Sequence, residues 1–182
     1  CNLMFVIGFL DDIKIKVSPL KRLLMMIFSL LFSIHFMSIG IFNIDIPFLF
    51  NFLKNDIFSS IFVLLCFLFI INGANLIDGF NGLLVINLVI INSVLLYINI
   101  LNGNNEFSIF LIAQIIILLS FLLFNFPSAK IFLGDGGSYA IGSLVALNSI
   151  ITNNLNPNYS SFFFCILLSR KRSFLSIIGA TS

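Results

Sequence analysis

Charge is what this sequence has least of. Only 9% of its 182 residues are Asp, Glu, Lys or Arg, against roughly 25% in an ordinary soluble domain. That scarcity excludes a water-soluble globule and, equally, a charge-rich disordered chain. Nine Lys and Arg against seven Asp and Glu leave a net charge of +2, which gives no basic surface for nucleic acid. Cysteine is sparser still: Cys1, Cys66 and Cys165 lie far apart in apolar surroundings, so they read as packing residues, not as a disulfide framework or metal site. Histidine occurs once, at His35. Hydrocarbon fills the rest: 60% of residues are hydrophobic, 24 are Phe, and mean hydropathy is +1.18. Several uncharged stretches approach the roughly 20 residues that a helix needs to cross a bilayer, so the chain reads as all-α, a polytopic bundle of transmembrane helices.

Leu3 to Leu10 is apolar but too short to span, and it stops at Asp11-Asp12. With no basic stretch before it and no small-residue cleavage site after it, it reads as the tail of a helix and not as a signal peptide. Ser18-Pro19 is a helix start: the serine hydroxyl can cap free N–H groups and the proline is preset for the first turn. Lys21 and Arg22 then mark the membrane surface. Uncharged runs cover Leu23 to Phe42, Ile57 to Ile77, Leu83 to Leu101 and Phe107 to Phe126. A shorter run, Ser138 to Ile151, ends in the turn-rich Asn153 to Ser160. Phe162 to Leu168 opens one more helix, which stops at Arg170-Lys171-Arg172. The expected architecture is about five full crossings plus two truncated helices, forming one membrane-embedded domain over residues 1–182 that is cut at both ends.

Threading these crossings puts Lys14, Lys16, Lys21, Arg22, Lys130, Arg170, Lys171 and Arg172 on one side and Lys54 on the other. The bias of basic residues toward cytoplasmic loops makes the first side cytoplasmic. The same threading carries Asp11, Asp12, Asp78 and Asp135 to that face. Hydropathy and charge alone thus bring four carboxylates together at a membrane surface.

Three segments at that face share a character: Gly8-Phe9-Leu10-Asp11-Asp12, Asn72-Gly73-Ala74-Asn75-Leu76-Ile77-Asp78-Gly79-Phe80-Asn81-Gly82, and Lys130-Ile131-Phe132-Leu133-Gly134-Asp135-Gly136-Gly137-Ser138. Asp oxygens are hard ligands that suit Mg²⁺, and Gly-rich turns at helix N-termini offer backbone N–H groups to phosphate oxygens. Together the segments suit a metal and a phosphorylated substrate. Taken singly, each is also what any polytopic protein uses for caps and turns at its surface.

In their order and near their spacing, these segments resemble the polyprenyl-phosphate N-acetylhexosamine-1-phosphate transferase family, glycosyltransferase family 4. Its enzymes start O-antigen, lipopolysaccharide, teichoic acid and peptidoglycan intermediates in the bacterial inner membrane. The resemblance runs across residues 1–168. It implies transfer of a HexNAc-type sugar 1-phosphate from a UDP-sugar to undecaprenyl phosphate, with release of UMP and dependence on Mg²⁺. By the family pattern Asp135 is the direct Mg²⁺ ligand, and Asp11 and Asp12 are the catalytic pair beside the reacting phosphates, with Asp11 a candidate base. A phosphate monoester, with a second pKa of about 6, is already largely ionised near neutral pH, so a base need not decide the rate. Asn75 and Asp78 match donor-contacting positions. Asn81, also a substrate-binding position, stands where many members carry a second Asp. Phe132 and Asn125 match positions that stack on and hydrogen-bond uracil; their plain reading is packing and a helix-end amide.

The family's later cytoplasmic segment with clustered histidines has no counterpart, and His35, inside the first full crossing, reads as a helix-facing or packing residue and not a catalytic one. The chain as it stands is therefore expected not to transfer sugar phosphate, whereas a version extended at both ends is. Two other readings stay open: an inactive truncated remnant, and a small membrane transporter. Against the transporter, the carboxylates sit at helix ends, while transport chemistry places polar groups near the bilayer midplane. The donor sugar (GlcNAc, GalNAc, QuiNAc or MurNAc-pentapeptide) and the oligomeric state are not legible.

Overall fold

The computed structural model describes residues 1–13, 18–41, 52–79, 82–127 and 131–156. The regular elements among them are six helices: α1 Asn2–Asp12, α2 Pro19–Met37, α3 Asp56–Asp78, α4 Leu83–Leu101, α5 Asn105–Asn125 and α6 Gly134–Leu155. The fold is all-α, and α2 to α5 are long and apolar enough to cross a membrane.

Local chemistry sets most boundaries. α2 begins with Pro19 in its first turn, but the Ser18 hydroxyl makes no capping bond; the fixed φ of proline, not a serine cap, sets that start. Its end falls at Met37, where Ser38 turns left-handed at φ 49°, short of the uncharged run's end at Phe42. Asn55 caps α3 by accepting from the Ile57 N–H at 3.0 Å. Gly82, at φ +75°, turns the chain into α4, and a Cβ there would come within 3.1 Å of Leu122 and Phe126.

The largest departure from the expected spans is α6, which extends beyond Ser138–Ile151 in both directions. Hydropathy underrates it because it carries Ser138, Ser143, Asn148, Ser149 and Thr152, all buried. These face other helices instead of lipid, since α6 packs on α1, α3 and α4. Its Tyr139, Ala146 and Ile150 join Met4, Ile7, Met26, Leu30, Phe67 and Ile71 in one apolar cluster. Its Val145 joins Ala74, Leu84, Leu88 and Leu118 in a second. The polar groups pair across helices: Asn148 donates to Gln114 at 2.7 Å and to Asn92 at 3.3 Å, and Asn99 donates to Thr152 at 2.9 Å. In hydrocarbon an unpaired polar group costs several kcal/mol, so these bonds hold α6 in register against α4 and α5.

The helices alternate in direction. Side chains near the C-terminal ends of α1 and α3 meet the first turns of α2 and α6, while Asn104 at the start of α5 bonds Asn156 just past α6 at 2.9 Å. His35 is exposed on α2 and is not a packing residue, and the same holds for Cys1; Cys66 is half-buried. Lys14, Lys16, Asn81, Lys130, Cys165, the run Phe162 to Leu168 and the cluster Arg170 to Arg172 lie outside the described residues.

Candidate active site

Close backbone approach builds the site. Gly8 of α1 lies against the first turn of α6, where a Cβ would stand 2.6 Å from the Gly136 Cα. With only hydrogen in that space, the two helices touch, and the end of α1 is carried to the N-terminus of α6. There Asp12 Oδ1 accepts from the Asp135 N–H at 3.0 Å and its Oδ2 from the Gly136 N–H at 2.9 Å. A carboxylate on free N–H groups at the positive end of a helix is favourable on both counts. The N–H groups that the Gly-rich turn was expected to offer to phosphate are thus in part taken by Asp12.

Asp11 and Asp135 share a different partner. Arg22 Nη1, in the first turn of α2, donates to Asp11 Oδ2 and to Asp135 Oδ2, the latter at 3.3 Å. Its guanidinium carbon lies 5.8 Å from the centre of the Tyr139 ring, within range of a cation–π contact. Desolvation, then a hydrogen bond and like charge from Asp11, push the Asp135 carboxyl up to about 6, against the opposing pull of Arg22. Two carboxylates this close resist sharing full negative charge, and a cation between them relieves the conflict.

The remaining expected residues separate. Asn75 accepts from Ser138 Oγ at 2.8 Å, and the same hydroxyl reaches the Asp135 carbonyl at 3.2 Å, so α3 is tied to α6 one turn below the carboxylates. Asp78, half-exposed at the end of α3, is within electrostatic reach of Asp12. Asn125 is buried and its Nδ2 donates to the Ile131 carbonyl at 2.7 Å, which fixes the segment that presents Phe132, 69% exposed. Asn125 supports this segment through one N–H of its amide.

Arg22, Ser138 and Tyr139 were missed as site residues. Helical phase was the usable signal. Arg22 shares a stripe with the buried Met26, Ser29 and Leu30, while Lys21 falls on the exposed side; Ser138 and Tyr139 lie three and four positions after Asp135, hence on its face.

Among the described residues, no three His, Cys, Asp or Glu stand close enough to enclose a metal ion. Mg²⁺, however, keeps several waters and is commonly held by one or two carboxylates plus substrate phosphates. Asp11 and Asp135 already share one cationic group in Arg22. The donor set fits a cation that arrives with a phosphorylated substrate, and does not fit a closed structural site.

A helical membrane bundle with an acidic, phosphate-suited cluster at one end is the class these features define. Residues 1–153 match the family described as Glycosyl transferase family 4, and the chain belongs to that family. It is 36% identical over 154 residues to a phospho-N-acetylmuramoyl-pentapeptide-transferase of Clostridium botulinum, covering 80% of this chain and 48% of the relative. Proteins of the same name from Streptococcus agalactiae and Staphylococcus carnosus are 37% and 31% identical, covering 80% and 81% of this chain and 45% and 50% of those relatives. The chain spans about half the length of the curated relatives it matches.

Proposed function

We propose that this site belongs to an enzyme that moves a sugar 1-phosphate from a UDP-sugar to undecaprenyl phosphate. An oxygen of the lipid phosphate attacks the phosphorus that carries the sugar, the bond to the UMP oxygen breaks, and UMP leaves. The observation that carries this reading is Arg22 shared by Asp11 and Asp135: three helices bring two carboxylates and one guanidinium to one point at a bundle end. Two anionic phosphates can approach such a point only with further positive charge beside them. Mg²⁺, when bound, would neutralise phosphate charge and help align the reacting phosphorus.

The chain's own residues divide the work. Both oxygens of Asp12 are engaged by the α6 backbone, so Asp12 holds α6 opposite α1, and Asp11 is the carboxylate left to face the acceptor phosphate. Asp135 would hold the cation. Asn75 and Asp78 line the donor side, Phe132 offers its exposed ring to uracil, and Asn125 keeps that segment in place; Asn81 joins the donor contacts by the family pattern alone. The names of the relatives make UDP-MurNAc-pentapeptide the first donor to try and peptidoglycan the glycan we favour over O-antigen or lipopolysaccharide. The basic bias argues for the cytoplasmic face, and the family resemblance for the inner membrane.

The test uses the protein expressed from its complete gene, purified in detergent and given undecaprenyl phosphate with a panel of UDP-sugars. UMP should appear with a MurNAc-pentapeptide donor, vanish on chelation with EDTA and return with Mg²⁺. No UMP from any donor would count against the transferase reading, and UMP release indifferent to EDTA against the metal.

A further inference from the structure

We propose that the Tyr139 hydroxyl donates a hydrogen bond to a phosphate oxygen of the substrate bound at the Asp11, Arg22 and Asp135 cluster, an inference that rests on the transferase reading. This chain uses phenylalanine where it wants an aromatic ring, with 24 Phe against 3 Tyr. Tyr139 is fully buried, yet its hydroxyl has no hydrogen-bond partner among the described residues. An unpaired buried hydroxyl is costly, and a Phe ring would pack in the same cluster and offer Arg22 the same face without that cost.

The position supplies the missing partner. Tyr139 lies one turn after Asp135 on the same face of α6, and helical side chains lean toward the N-terminus, here the carboxylate end. Its hydroxyl is within electrostatic reach of Arg22, Asp135, Asp11 and Asp12. Arg22, whose side chain is 27% exposed, sits over the ring. A phosphate drawn to that guanidinium arrives beside the hydroxyl, which then finds a charged acceptor. The phosphate belongs either to the lipid acceptor or to the nucleotide donor, and kinetics separate the two.

The experiment compares wild type, Tyr139→Phe and Tyr97→Phe in the protein from the complete gene. It measures the unfolding midpoint in detergent, kcat, and KM for undecaprenyl phosphate and for the UDP-sugar separately. Tyr139→Phe should unfold no earlier than wild type and lose about ten- to a hundredfold in kcat/KM, as expected for a hydrogen bond to a charged group. A raised KM for one substrate names the phosphate contacted; a fall in kcat alone says that the bond forms in the transition state. Tyr97→Phe, at an exposed tyrosine of α4, should match wild type. Wild-type kinetics in Tyr139→Phe would overturn the inference while leaving the transferase reading intact, and so would a lowered midpoint, which would reveal a structural partner. If wild type releases no UMP and its midpoint responds to neither undecaprenyl phosphate nor the UDP-sugar, the transferase reading falls, and the inference with it.

Discussion

Asp11 and Asp12 are neighbours in sequence with identical chemistry, and the fold gives them different work. Asp12 binds two backbone N–H groups of α6, whereas Asp11 meets a part-exposed arginine. Asp12→Ala should therefore cost roughly 2 kcal/mol of stability, the sum of a lost helix cap and hydrogen bonds to a charged group. Asp11→Ala should cost about 0–1 kcal/mol, because part-exposed ion pairs contribute little. Unfolding midpoints in detergent measure the difference, and equal losses would mean that Asp12 does not hold α6. At this scale the sequence was legible where side chains are rare and chemically distinct: four Asp among only seven acidic residues can hardly be overlooked. Arg22 was not legible, because a basic residue at a span's edge is also the ordinary mark of a membrane surface, and only the buried stripe through Met26 shows which way it turns.

At the scale of the element, one crossing decides the geometry of the site. Gly8→Ala would place a methyl group against the carbonyl of Asp135 and 2.6 Å from the Gly136 Cα, so α1 and α6 must part. A displacement of about 1 Å at catalytic groups costs on the order of a hundredfold in rate, which UMP release would register. Gly73→Ala is the matched control: nothing lies within 4 Å of its new Cβ, and alanine in a helix interior is favoured over glycine by about 0.5–1 kcal/mol. It should be neutral or stabilising, and equal damage from both changes would refute the crossing argument. The uncharged runs gave α4 to the residue and α3 and α5 to within two, because polar turns bound them sharply. They shortened α6, because hydropathy assumes that a spanning helix faces lipid, and α6 faces Asn92, Asn99 and Gln114 instead.

Across the whole molecule, alternation of the helices sends Asp11, Asp12, Asp78 and Asp135 to one end and Asn104, Glu106 and Asn156 to the other. Single cysteines at positions 106 and 135, in a background with the native cysteines replaced, test the orientation in intact cells. An impermeant thiol reagent should label position 106 from outside and leave 135 untouched; the reverse pattern would invert the assigned sidedness.

The most direct test of the account is whether the acidic end is where transfer occurs. UMP release should be measured for wild type, Asp135→Asn and Glu106→Gln in the protein from the complete gene. Asp135→Asn keeps the size of the side chain but removes the charge that a hard cation needs, so turnover should disappear, while Glu106→Gln, at the far end, should keep the wild-type rate. Full activity in Asp135→Asn would contradict the central claim.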